Sequence, residues 1–122
     1  MVFGVFDGLD MGHRFFLTQA KNQGDNLVIV LAPDAQVGVL KQKSPRFSFN
    51  ERKIALEKSE FPDATIEGDK KLESWNCFDA VSPDVIVLGY DQDALKVSLG
   101  NFFQGKKSPI LVSIEKQPDE ER

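Results

Sequence analysis

Asp7, Asp10 and His13 lie within seven residues of one another, interleaved with Gly4, Gly8 and Gly12. Met1 to Val5 is apolar and too short to be anything but a strand, and the residues from His13 onward read as a helix. A strand that ends in glycines and leads to a histidine at a helix start suits an anionic phosphate. The first N–H groups of a helix have no intrahelical acceptor, and the helix dipole favours negative charge there. Two carboxylates beside that position could instead hold a divalent cation. The residues alone leave three classes open: a phosphoryl-group enzyme, a nucleotide-binding or regulatory protein, and an interaction domain of flavodoxin-like build.

The elements that must position these side chains alternate along the chain. A helix is predicted from His13 to Asn22, with Phe16, Leu17 and Ala20 on one face and Gly24 as its stop. Leu27 to Ala32 is apolar on both faces, the pattern of a strand covered from both sides in a parallel sheet. Residues 33–47 show no period and read as a loop with at most a helical turn. Ser48 and Glu51 have capping-box spacing and open a helix through Ser59, with Ile54 and Leu56 among its apolar positions. Ala64 to Glu67 is a short strand, and a helix is predicted over Leu72 to Val81 with Trp75, Phe78 and Val81 toward the core. Pro83 to Gly89 is a second buried strand, Ala94 to Phe103 an amphipathic helix ended by Gly105, and Ile110 to Ile114 the last strand. This order predicts an α/β fold: a Rossmann-like, open, parallel five-stranded sheet with helices on both faces and right-handed crossovers. Ligands in such sheets bind at the carboxyl ends of the strands, where strand order reverses.

Composition narrows the classes. A chain of 122 residues with 41% hydrophobic content suits one domain spanning residues 1–122. Fifteen basic and nineteen acidic residues give a net charge of -4, which speaks against a general nucleic-acid or membrane surface, so any anion site must be local. The single Cys77 excludes an internal disulfide and fits a reducing cytoplasm. No apolar run approaches the roughly 20 residues of a membrane span, and no basic leader precedes Gly4.

Gly4-Val5-Phe6-Asp7-Gly8-Leu9-Asp10-Met11-Gly12-His13 resembles the GxFDxxHxGH signature of the cytidylyltransferase-like nucleotidyltransferases, with Asp10 at the first histidine. The resemblance continues through Lys41 and Lys43, Glu51-Arg52, and Val85 to Gly89 followed by Asp91. Val85 to Gln92 is similar to the small archaeal FAD synthetases, which share a fold with the glycerol-3-phosphate cytidylyltransferases. It implies transfer of a nucleotidyl group from CTP or ATP to a polyol phosphate or FMN, with loss of pyrophosphate. In that scheme His13, Lys41 and Lys43 are catalytic, His13 meeting the phosphates and the lysines acting as point charges on a loop. Gly4, Val5, Phe6, Asp10, Gly12, His13, Arg52, Gly89, Tyr90 and Asp91 bind the nucleotide, with Arg52 reaching a β- or γ-phosphate. Magnesium (Mg2+) arrives on the triphosphate, and Asp7 supports the loop or, with Asp10, seats the metal. Homodimers are common in the family, and ten phenylalanines could furnish an apolar interface.

Asp10 sets a conflict: a carboxylate accepts where the family histidine donates, and losing one such donor costs about 10²–10³ in rate. Family members also continue into a Ser/Thr-rich turn and helix, which residues 115–122 do not carry. A catalytically impaired nucleotide-binding or regulatory homologue is therefore the alternative expectation.

Overall fold

A computed structural model of the protein describes residues 1–41, 44–69 and 74–116. The order is β1 (Val2–Gly4), α1 (Met11–Lys21), β2 (Val28–Leu31), α2 (Asp34–Lys41), α3 (Phe49–Ser59), β3 (Ala64–Glu67), α4 (Cys77–Ala80), β4 (Val85–Leu88), α5 (Asp93–Phe102) and β5 (Ile110–Ser113). The strands are parallel, as predicted, but their ladders divide into β1-β2-β3 and β4-β5. Backbone hydrogen bonds join the halves: the Met1 nitrogen donates to Val85 O at 2.8 Å, and Val87 N donates to Met1 O at 3.0 Å. The spatial order is therefore β3-β2-β1-β4-β5, and it reverses between β1 and β4.

Strand periodicity distributes the core over both faces. Val2, Ile29, Leu31 and Val87 pack with Leu17 and Ala20 of α1 and Leu56 of α3. Val30 on the other face packs with Cys77, while Ile86 and Leu88 pack with Leu99 of α5; Phe3, Trp75 and Phe78 border both groups. Apolar runs without alternation are the sequence signature of this two-sided burial.

Helix α3 begins as its residues dictate. Ser48 Oγ accepts from Glu51 N at 3.2 Å, and Glu51 Oε1 accepts from Ser48 N at 2.9 Å. Leu56 is buried, whereas Ile54 is half exposed. Two expectations need correction. Residues 34–41 form the helix α2 and not a loop; Gly38 weakens its propensity, and Val37 is deeply buried. The helix expected over 72–81 is confined to Cys77–Ala80; residues 70–73 lie outside the described part, and Ser74 and Trp75 are not helical. Among the described residues no helix is long and apolar enough to cross a membrane.

Candidate functional site

The site is built on the turn from β1 to α1. Phe6 holds a left-handed backbone, φ 48°, which a non-glycine residue tolerates only when its surroundings enforce it. Burial of its ring does so, and the ring lies over Gly4: a Cβ on Gly4 would come 2.6 Å from Phe6 Cε2. Gly8 has φ 102°, and a Cβ there would stand 2.6 Å from Arg46 Nη2. The glycine spacing thus reflects one crowded turn.

That turn delivers Asp10 to the N-cap of α1. Its Oδ1 accepts the His13 amide at 2.8 Å and stands 3.2 Å from His13 Nδ1. Asp10 thus has a local job as a helix cap, for which Asp is among the preferred residues. His13 Nδ1 lies 2.8 Å from Gly8 O, and the ring stands edge-on to Phe6 with centroids 5.4 Å apart. A carbonyl can only accept, so Nδ1 carries the proton. Nε2 has no partner among the described residues, and neither have the amides of Met11 and Gly12. All three groups belong to residues lining one cleft.

Asp7 ties this turn to the segment before α3. Its carboxylate accepts the amides of Arg46 at 2.8 Å and Phe47 at 2.9 Å. Burial pushes its pKa up, but these hydrogen bonds and the charges of Arg46 and Arg52 outweigh that and hold the group below the usual value. With both Asp7 oxygens bonded to the 46–47 backbone and Asp10 capping α1, the pair does not fit a resident cation. Among the described residues no three His, Cys, Asp or Glu side chains gather as metal ligands.

Arg52 is the largest correction to the expected site. Its side chain is fully buried. Nε donates to Phe47 O at 3.1 Å, Nη1 to Val5 O and to Ala32 O, both at 2.9 Å, and Nη2 to Asp34 Oδ1 at 2.7 Å. The guanidinium clasps the ends of β1 and β2 to α2 and α3, with no edge turned to the cleft. Lys41 closes α2 and its side chain is not among those described; Lys43 lies outside the described residues.

At the end of β4, Gln92 joins the two half-sheets: Oε1 accepts from Gly89 N at 2.8 Å, and Nε2 donates to Phe3 O at 2.9 Å. Gly89, Tyr90 and Asp91 therefore sit beside the β1 turn, and Gln92 stands at the N-cap position of α5 without a side-chain capping bond. Tyr90 is exposed, with Lys116 Nζ 5.8 Å from its ring centroid.

These pieces enclose a cleft of about 1100 Å³ at the reversal point. Gly4, Val5, Phe6, Asp7, Asp10, Gly12, His13, Gly89, Tyr90 and Asp91 all line it. So do Arg46, Gln92 and Lys116, which the sequence reading missed. A polar residue just after an apolar strand was the available signal for Gln92; no local signal separates Arg46 from an ordinary surface arginine. Cys77 also borders the cleft; burial and the charge of Asp69 push its thiol up to about 11.

Comparison with known proteins finds relatives of the whole fold. The family model described as Cytidylyltransferase-like matches residues 1–104. The chain belongs to the cytidylyltransferase-like family. FAD synthase of Thermococcus sibiricus is 39% identical over 90 residues, 74% of this chain and 61% of that protein. FAD synthase of Aciduliprofundum boonei is 41% identical over 92 residues, 75% of this chain and 60% of that protein. The chain thus spans about three-fifths of the length of these relatives. The crystal structure of the lipopolysaccharide core biosynthesis protein from Thermoplasma volcanium superposes with a TM-score of 0.82 at 32% identity, covering 97% of this chain and 96% of that one.

Proposed function

We propose that the chain is a nucleotidyltransferase that joins the nucleotidyl group of a nucleoside triphosphate to a small phosphorylated acceptor and releases pyrophosphate. The relatives named FAD synthase make ATP and FMN the first pair to test, with CTP and a polyol phosphate behind them. One observation carries the reading: among the described residues His13 Nε2 and the amides of Met11 and Gly12 have no partner, and their residues line a cleft at the N-terminus of α1. Its volume of about 1100 Å³ gives room for a nucleotide beside a small acceptor.

An acceptor phosphate oxygen attacks the α-phosphorus, the bond to the oxygen bridging the α- and β-phosphates breaks, and pyrophosphate leaves; magnesium carried by the triphosphate would neutralise part of its charge. The chain's part is alignment and stabilisation of charge. The α1 amides and dipole take a phosphate oxygen. His13, with Nδ1 bonded to Gly8 O, must be doubly protonated to donate through Nε2. On grounds of family resemblance Gly89, Tyr90 and Asp91 border the base and ribose. Lys41 and Lys43 remain candidates for the phosphates on grounds of family resemblance. The reaction suits a soluble cytoplasmic enzyme that needs neither nucleic acid nor membrane.

The first test is thermal stability with ATP, CTP and GTP, each with and without magnesium, followed by pyrophosphate release with FMN or glycerol phosphate. Ligand at about 100 times Kd adds roughly 2.7 kcal/mol to stability, an easily read shift. No rise with any nucleotide refutes the proposal. The position of Asp10 favours a second reading, a nucleotide-binding homologue with impaired turnover, because a carboxylate stands where a donor would help. Asp10→His separates the two: a gain in turnover marks an impaired enzyme, and no gain a site that works with its aspartate or has been turned to another use.

A further inference from the structure

Arg52 is committed to the backbone and to Asp34, so the proposed function cannot use it as a cation for the phosphates. Arg46 is another arginine near the same turn. Its side chain is 70% exposed and borders the cleft, yet it is tethered. Arg46 N and Phe47 N donate to the two oxygens of the Asp7 carboxylate, and Arg46 Nη2 donates to Asp7 O at 2.6 Å. The guanidinium also lies 5.5 Å from the Phe47 ring centroid and directly over Gly8. Nη1 has no partner among the described residues. The Asp7 carboxylate stays 4.0 Å from Nε, outside hydrogen-bond range, and is already bonded to two amides. Charge therefore remains available on the guanidinium's outer edge.

Two organised groups hang from consecutive carbonyls of one turn: Arg46 from Asp7 O and His13 from Gly8 O. An untethered arginine forfeits rotamer entropy on binding; one already held forfeits less, and its planar fork matches phosphate oxygens. The geometry points to Arg46 as a phosphate-binding residue of this site, gripping a phosphate group of the triphosphate or of the acceptor across the Asp7–Gly8 turn. This inference rests on the nucleotidyltransferase reading but selects a residue which that reading does not need.

The test measures affinities of wild type, Arg46→Gln and Arg46→Lys for MgATP, FMN, tripolyphosphate and adenosine, alongside their melting temperatures. Arg46→Gln is expected to weaken a phosphate-bearing probe about 10- to 100-fold, the worth of a hydrogen bond to a charged group. Adenosine affinity and melting temperature should hardly move. Arg46→Lys should recover part of the loss. Selective loss of MgATP and tripolyphosphate assigns the contact to the triphosphate, and selective loss of FMN assigns it to the acceptor; either supports the inference. Equal affinity of wild type and Arg46→Gln for every phosphate probe overturns it while leaving the proposed function standing. Parallel loss of adenosine and phosphate binding also overturns it, because Arg46 would then only shape the loop. A wild type that binds none of the probes overturns both.

Discussion

Replacing Arg52 by methionine distinguishes a structural clasp from a substrate ligand. Methionine keeps most of the apolar stem but carries no donor, so four hydrogen bonds vanish: those to Phe47 O, Val5 O, Ala32 O and Asp34 Oδ1. The Ala32 bond is buried and its carbonyl bears the full cost of an unmade bond, about 1–3 kcal/mol. The Val5 and Phe47 carbonyls are part-buried, and water recovers part of each loss, leaving about 0.5–1.5 kcal/mol apiece. Asp34 is half exposed and re-solvates, adding little. The expected destabilisation is about 4 kcal/mol, within a range of roughly 2–6. A chain of 122 residues has only about 6–18 kcal/mol in all. At about 4 °C per kcal/mol, the melting temperature should fall by about 16 °C. Urea denaturation monitored by the fluorescence of Trp75 gives the value directly. Asp34→Asn, which keeps an acceptor for Nη2, should cost less than about 1 kcal/mol. A destabilisation below about 1 kcal/mol for Arg52→Met, accompanied by lost nucleotide affinity, would show that Arg52 serves substrate and that the clasp has been misread.

Other substitutions probe the β1–α1 turn. Gly4→Ala drives a Cβ to 2.6 Å from the buried Phe6 ring, so it should lose about 1–3 kcal/mol on denaturation and disturb nucleotide binding. Asp10→Ala removes the α1 cap and should cost about 1 kcal/mol, whereas Asp10→Asn, an equally good cap, should leave the melting temperature nearly unchanged. Asp7 is held below its unfolded value of 3.8, so its charge contributes stability fully present above that pH and lost as pH falls through the lower folded value. The stability gap between wild type and Asp7→Asn should accordingly be constant near neutrality and close under acid, as denaturant titrations from pH 7 to 2 would reveal. Cys77, with its pKa pushed up to about 11, should resist iodoacetamide at pH 8 in the native protein and react after unfolding, followed by mass spectrometry.

The sequence by itself determined the elements whose causes are local. Apolar runs at 27–32 and 83–89 specify strands covered on both faces; Ser48 and Glu51 start a helix through bonds three residues apart; the glycine spacing from Gly4 to Gly12 marks a strand–turn–helix that exposes amides. Parallel pairing and the place of the cleft follow from that alternation. Tertiary structure decided what each charge is for. Arg46 and Arg52 are six residues apart and indistinguishable by type, yet one lies fully buried among four acceptors and the other stands exposed at the cleft. Asp7 meets the amides of residues 39 and 40 positions away, and Gln92 reaches Phe3 across 89. A charged side chain takes its role from the acceptors, donors and water that the fold places around it. Those partners arrive from distant segments, so no local pattern encodes them.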